Sequence, residues 1–99
     1  MILSFKDYDT ARLARGETVT SFASFERVAQ RKIRQLEIAR CLEDLRVPPG
    51  NKLEMLKGDR RGQYSIRIND RYRVCFVWTS RGVENVEIVD YHWMRKRLR

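Results

Sequence analysis

Between positions 24 and 45 apolar residues recur at steps of three and four: Phe25, Val28, Ala29, Ile33, Leu36, Ala39, Leu42 and Leu45. This spacing draws one buried stripe along a helix, and no Pro or Gly interrupts it. A single helix is predicted across residues 24–45, with Thr20, Ser21 or Ser24 as its cap. A shorter helix is expected across 7–16, carrying Tyr8, Ala11, Leu13 and Ala14 and stopped by Gly16. Residues 1–6 alternate weakly and read as a short first strand. At Pro48-Pro49-Gly50 the helical pattern ends, because proline lacks the helix donor and forces Val47 to be extended. Beyond it the apolar period falls to two. Strands are predicted at 53–56, 64–68, 72–78 and 86–91, with turns at 58–62 and 79–82. Helices first and strands after imply an α+β fold, with the helices packed on one face of an antiparallel sheet. The other face is expected to be free for function.

The central hairpin has a readable register. A two-residue turn at Asn69-Asp70 sets Ile66 opposite Arg73 and mixes apolar with charged side chains. A three-residue loop, Asn69-Asp70-Arg71, instead pairs Ile68 with Tyr72 and Ile66 with Val74, so the large apolar residues share a face. Asn or Asp would supply the left-handed position such a loop uses. This register places Arg67 opposite Arg73 on the free face, where an anion between the two guanidinium groups would relieve their repulsion.

The 99 residues make one domain, and 42% hydrophobic content supports one small core. Lys and Arg number 21 against 13 Asp and Glu, a net charge of +8. Arginine, whose planar fork fits phosphate and stacks on bases, accounts for 16 of the 21. That balance points to nucleic acid or an acidic protein, against the plainer reading of a solvated surface. Arg27, Arg31 and Arg34 form a stripe that is either solvated or a contact face for RNA or an acidic partner. No apolar run reaches the roughly 18–20 residues of a membrane helix, and the first residues lack a secretion-signal pattern. Cys41 and Cys75 have no metal-ligand spacing, and there is one histidine, so neither a zinc site nor a cofactor is expected. Both cysteines read as reduced, partly buried thiols of a cytosolic protein, with a single disulfide left open. The basic segment 93–99 reads as a fraying end or a contact arm.

At the end of the last predicted strand stand Asp90, Tyr91 and His92, all able to transfer a proton or to align a group that does. Neighbouring strand residues point to opposite sides, so a bend near Asp90 is required for them to act together.

Leu56-Lys57-Gly58-Asp59, Gly62-Gln63-Tyr64-Ser65-Ile66-Arg67-Ile68-Asn69, Tyr72-Arg73-Val74 and Val86-Glu87-Ile88-Val89-Asp90-Tyr91-His92 occur in order, after the opening Ile2-Leu3-Ser4-Phe5-Lys6. In these segments the chain resembles the HigB branch of the RelE/ParE toxin superfamily, from residue 1 to residue 92, with 93–99 outside the pattern. The resemblance implies a RelE-like α+β fold, with an N-terminal strand and helices on one face of a curved antiparallel sheet. It implies a type II toxin that cleaves mRNA in the ribosomal A site without a metal, in contact with rRNA. Its partner would be a HigA-type helix-turn-helix antitoxin, through which alone it would meet operator DNA. The resemblance assigns Lys57 and Arg73 as catalytic cations and Asp90, Tyr91 and His92 as the C-terminal site residues. Arg67, Arg60 and Arg61 are added as RNA-binding candidates. Glu54 stands where some relatives carry a histidine, which leaves the assignment of general base and acid open. A gyrase-poisoning toxin of the ParE kind and a non-catalytic module that binds ribosomes or an antitoxin are the alternatives.

Overall fold

Asp7 accepts the Thr10 backbone N–H at 3.0 Å and starts α1, Tyr8–Ala14. Gly16, at φ +90°, ends it, and the Gly16 and Glu17 N–H groups return to the carbonyls of Leu13 and Arg12. The computed structural model describes residues 1–97, with side chains as far as Met94. It divides the long predicted helix into a 3-10 segment at Thr20–Phe25, α2 at Glu26–Ile38 and a second 3-10 segment at Leu42–Arg46. In a 3-10 turn residues three apart eclipse one another. Phe22 and Phe25 therefore enter the core together, with ring centroids 5.7 Å apart. No hydroxyl caps either segment, contrary to the expectation for Thr20, Ser21 and Ser24. At the far end Ala39 turns extended, and the Asp44 carboxylate takes the Arg40 N–H at 2.9 Å. This local acceptor competes with the helical carbonyl and ends α2 at Ile38. The apolar spacing survives the break, since Leu45 remains fully buried.

The sheet has four antiparallel strands in the order β1 (Glu54–Met55), β2 (Tyr64–Arg67), β3 (Tyr72–Trp78) and β4 (Val83–Asp90). The expected N-terminal strand is reduced to two isolated parallel bridges on β4, Ile2 to Val83 and Phe5 to Val86. β4 begins three residues earlier than the predicted 86, because a bulge hides its alternation. The β3–β4 register shifts between Cys75 and Val77, and Asn85 opposite it is left-handed at φ 54°. Val83 and Val86 are three apart yet both fully buried, since the extra residue returns the strand to the same face.

Ile66, Val74, Phe76 and Ile88 from one face of the sheet form the main core with Leu13 of α1 and Ala29, Ile33 and Leu36 of α2. The opposite face is not free, which corrects the expectation from sequence. The chain turns at Asp90 into α3, Tyr91–Arg97, which lies on that face. Met94 is fully buried there in a second core with Leu56, Cys75 and Val89. The start of the supposed tail is thus a docked helix, while the basic side chains of 95–99 lie outside the described residues. Among the described residues no helix is long and apolar enough to cross a membrane.

Candidate functional site

The register predicted for the hairpin is the one observed: Ile66 pairs with Val74 and Arg67 with Arg73. The loop is held without a left-handed residue. Asn69 Oδ1 accepts the N–H groups of Arg71 and Tyr72, each at 2.8 Å, and this side-chain turn does the work expected of a positive φ. Across the sheet, Glu54 pairs with Ser65, Ser65 with Cys75 and Cys75 with Glu87, a row of side chains on the face that α3 partly covers.

Arg73 stands diagonally beside this row and is only 5% exposed. Its Nη1 donates to Ser65 Oγ at 2.8 Å and to the Lys52 carbonyl at 3.1 Å, and lies 3.4 Å from Glu54 Oε1. The guanidinium carbon sits 4.3 Å from the centroid of the Tyr91 ring, a cation–π contact. Tyr91 Oη donates to the same Glu54 Oε1 at 3.3 Å. One cation, one carboxylate and one phenol are thus in mutual contact, and the Glu54 side chain, 41% exposed, forms their open side. The expected pair of guanidinium groups sharing an anion is not formed. Each has its own carboxylate: Arg67 bonds Asp70, three residues along the hairpin, and Arg73 is drawn inward to Glu54.

Asp90 occupies a different position in the arrangement. Its Oδ2 accepts from Arg71 Nε at 3.0 Å, and its Oδ1 accepts the N–H groups of His92 and Trp93 at 3.0 and 3.3 Å. It caps α3. The Arg71 hydrogen bond, aided by those N–H groups, holds its carboxyl below the ordinary range. His92 is exposed in the first turn of α3. The required bend is therefore the passage from strand to helix between Asp90 and Tyr91.

Lys57 is exposed just ahead of Gly58, and Arg61 is exposed in the turn that follows. Arg60 is committed within the fold: its Nη1 bonds Glu87 Oε1 at 3.0 Å and Gln63 Oε1 at 3.1 Å. On the helical side Arg27, Arg31 and Arg34 are exposed along α2. Burial, with help from Arg31 and Arg67, lowers the pKa of Lys32, whose Nζ bonds the buried Asn51 Oδ1 at 2.6 Å. Both cysteines are free thiols, but Cys41 is exposed, not partly buried. Cys75 is fully buried, and desolvation pushes its thiol up to about 12.

The structure brings Arg73 and Tyr91 together and sets Asp90, the cap of α3, next to Tyr91 in the chain; Lys57, Arg61 and His92 are exposed and are not part of this contact group. Sequence reasoning missed Ser65 and the Lys52 carbonyl as the supports of Arg73. The register did carry a signal for Ser65, which alternation places on the same face as Arg67 and Arg73.

The family model described as RelE-like toxin of type II toxin-antitoxin system HigB matches residues 4–92. A protein named Toxin HigB-1 from Vibrio cholerae serotype O1 is 41% identical over 70 residues, 71% of this chain and 73% of its own length. An uncharacterized protein from Haemophilus influenzae is 35% identical over 60 residues, 61% of this chain and 59% of its own.

Proposed function

Because the chain belongs to the HigB-like family of RelE-like type II toxins, we propose that it cuts mRNA on translating ribosomes in the cytoplasm as a metal-independent endoribonuclease. A type II toxin has a cognate antitoxin; here it is of the HigA helix-turn-helix type. The observation that carries the reading is the contact group of Arg73, Glu54 and Tyr91, open to solvent on the Glu54 side. Gyrase poisoning has no need of such a set.

In the proposed reaction the 2′-OH attacks the adjacent phosphorus, the bond to the 5′-oxygen breaks, and a cyclic phosphate remains. Glu54 takes the 2′-OH proton; its carboxylate is already oriented by Tyr91 and Arg73. Arg73 and Lys57 stabilise the charge that builds on the non-bridging oxygens. His92, as an imidazolium, gives a proton to the departing 5′-oxygen. Asp90, with both oxygens engaged by Arg71 and the helix N–H groups, is a positioning residue that fixes the start of α3 and hence Tyr91. Arg67 and Arg61 bind the RNA backbone.

The test is to map mRNA 5′ ends after brief induction. Cuts within translated codons that His92→Ala strongly reduces, with the fold intact, are expected. Undamaged mRNA together with a DNA-damage response would transfer the protein to the gyrase class, and growth arrest with neither would leave a binding module.

A further inference from the structure

Past Arg73 on the same face of the sheet, Lys6, Asp59, Arg60, Gln63, Glu87 and Trp93 enclose a hollow of about 260 Å³. Below the ~300–1,000 Å³ of a site that encloses a whole small molecule, it suits one planar ring system. Trp93 is 52% exposed at its edge, a large aromatic surface set among charged groups. The opposite wall is already built, because Arg60 ties Glu87 and Gln63 together at 3.0 and 3.1 Å. Glu87 is one strand across from Cys75, which is two residues along β3 from Arg73. At about 3.4 Å per residue and 4.8 Å between strands, the hollow lies roughly 8 Å from the Arg73 backbone, a span of about two stacked nucleotides at 3.4 Å each.

The geometry points to a base-binding subsite in which Trp93 stacks on a nucleobase whose exocyclic amino group is read by the Glu87 carboxylate, whose Oε1 is held by Arg60 and whose Oε2 is left for the base. Aromatic stacking accepts any base, whereas a carboxylate acceptor favours a base that carries an amino donor. Lys6 is available for the neighbouring phosphate. The subsite rests on the proposed cleavage of RNA and supplies its preference at a position beside the cut. Uracil has no exocyclic amino group and is the base it disfavours.

The test is direct binding of the full chain to labelled hexamers of A, C and U, measured apart from any ribosome assay. The wild type is expected to bind A6 and C6 at least about fivefold more tightly than U6. Trp93→Ala should weaken binding by about tenfold or more, the range of one lost stacking contact, and Trp93→Phe should restore most of it. Glu87→Gln, which puts a donor beside the acceptor, should bring the three hexamers together. Hexamer affinities that differ less than twofold in the wild type, or a Trp93→Ala protein that binds as the wild type does, overturn the subsite even where mRNA is cut on the ribosome. Conversely, wild-type preference for A6 and C6 with no mRNA cuts in cells keeps the subsite and removes the nuclease assignment.

Discussion

Arg73→Met removes the guanidinium while leaving a long apolar side chain beneath Tyr91. Ser65 Oγ and the Lys52 carbonyl then lose a donor, and Glu54 loses its cation. Ser65 is fully buried, and a buried polar group left unpaired costs about 1–3 kcal/mol. For the ion pair, 332/(εr) at the observed 3.4 Å gives about 1.2 kcal/mol at ε ~80 and about 5 kcal/mol at ε ~20. Glu54 is 41% exposed, so water replaces much of what it loses, and about 1–2 kcal/mol is the fitting share. The variant should therefore lose about 2–5 kcal/mol in all. Urea unfolding of the wild type, Arg73→Met, Glu54→Gln and the double variant isolates the pair, with an expected coupling of about 1–2 kcal/mol. A coupling under about 0.3 kcal/mol would refute the contact as an energetic link. Glu54→Gln alone keeps an acceptor for Tyr91 but gives up the ion pair with Arg73, and should cost about 1–2 kcal/mol. As the proposed base it should still lose about 10²–10⁴-fold in mRNA cleavage, and wild-type cutting by this variant would remove Glu54 from the reaction.

Met94→Ala, which empties a fully buried position between α3 and the sheet, should destabilise by about 2–3 kcal/mol in urea unfolding; a loss under about 0.5 kcal/mol would mean that α3 is not docked. Asp90 is stabilised as a carboxylate in the folded state, so its contribution is complete above the unfolded pKa of about 3.9 and disappears as pH falls through the lower folded value. Asp90→Asn should consequently be less stable than the wild type at pH 7, with the gap closing below the carboxylate range; an equal gap throughout would contradict the assigned ion pair with Arg71. A thiol reagent at pH 8 should modify one cysteine in the native protein and two in denaturant, because Cys41 is exposed and the buried Cys75 thiol titrates at about 12. Two rapid native modifications would place Cys75 at the surface.

The hairpin register was legible because it is set by alternation over residues whose faces differ sharply: Ile66 and Val74 cannot share a side with Arg67 and Arg73 in a regular strand. The α+β order was legible for the same reason, as a change of period at Pro48-Pro49. Three features were hidden, each by an interaction that periodicity does not encode. Apolar residues at 36, 39, 42 and 45 suit a helix, and only the Asp44 carboxylate reaching back to Arg40 N–H reveals the break. The early start of β4 was hidden by Asn85, whose left-handed backbone displaces the alternation. The part of α3 from Trp93 on carries the composition of a basic tail, and the signal of its docking is one apolar side chain among charges, Met94. For the site, the family pattern supplied Arg73 and Asp90-Tyr91-His92, while the burial of Arg73 needed three-dimensional partners from β1, β2 and the segment before them.

Helix α3 binds these observations into one arrangement. It has seven residues, too few to be stable alone, so its position depends on what it packs against. Asp90 starts it, Tyr91 covers Arg73 and Met94 anchors it over Cys75. Trp93, in the same turn, lines the hollow beside Glu87. The cation site and the proposed base subsite are consequently two sides of one short helix, and their separation is set by the second core beneath it. A disturbance of Leu56, Cys75, Val89 or Met94 moves both together, although none of these side chains touches RNA in the proposed mode. Changes in cleavage efficiency and in base preference are therefore expected to accompany one another at these positions, whereas changes at Lys57 affect efficiency alone.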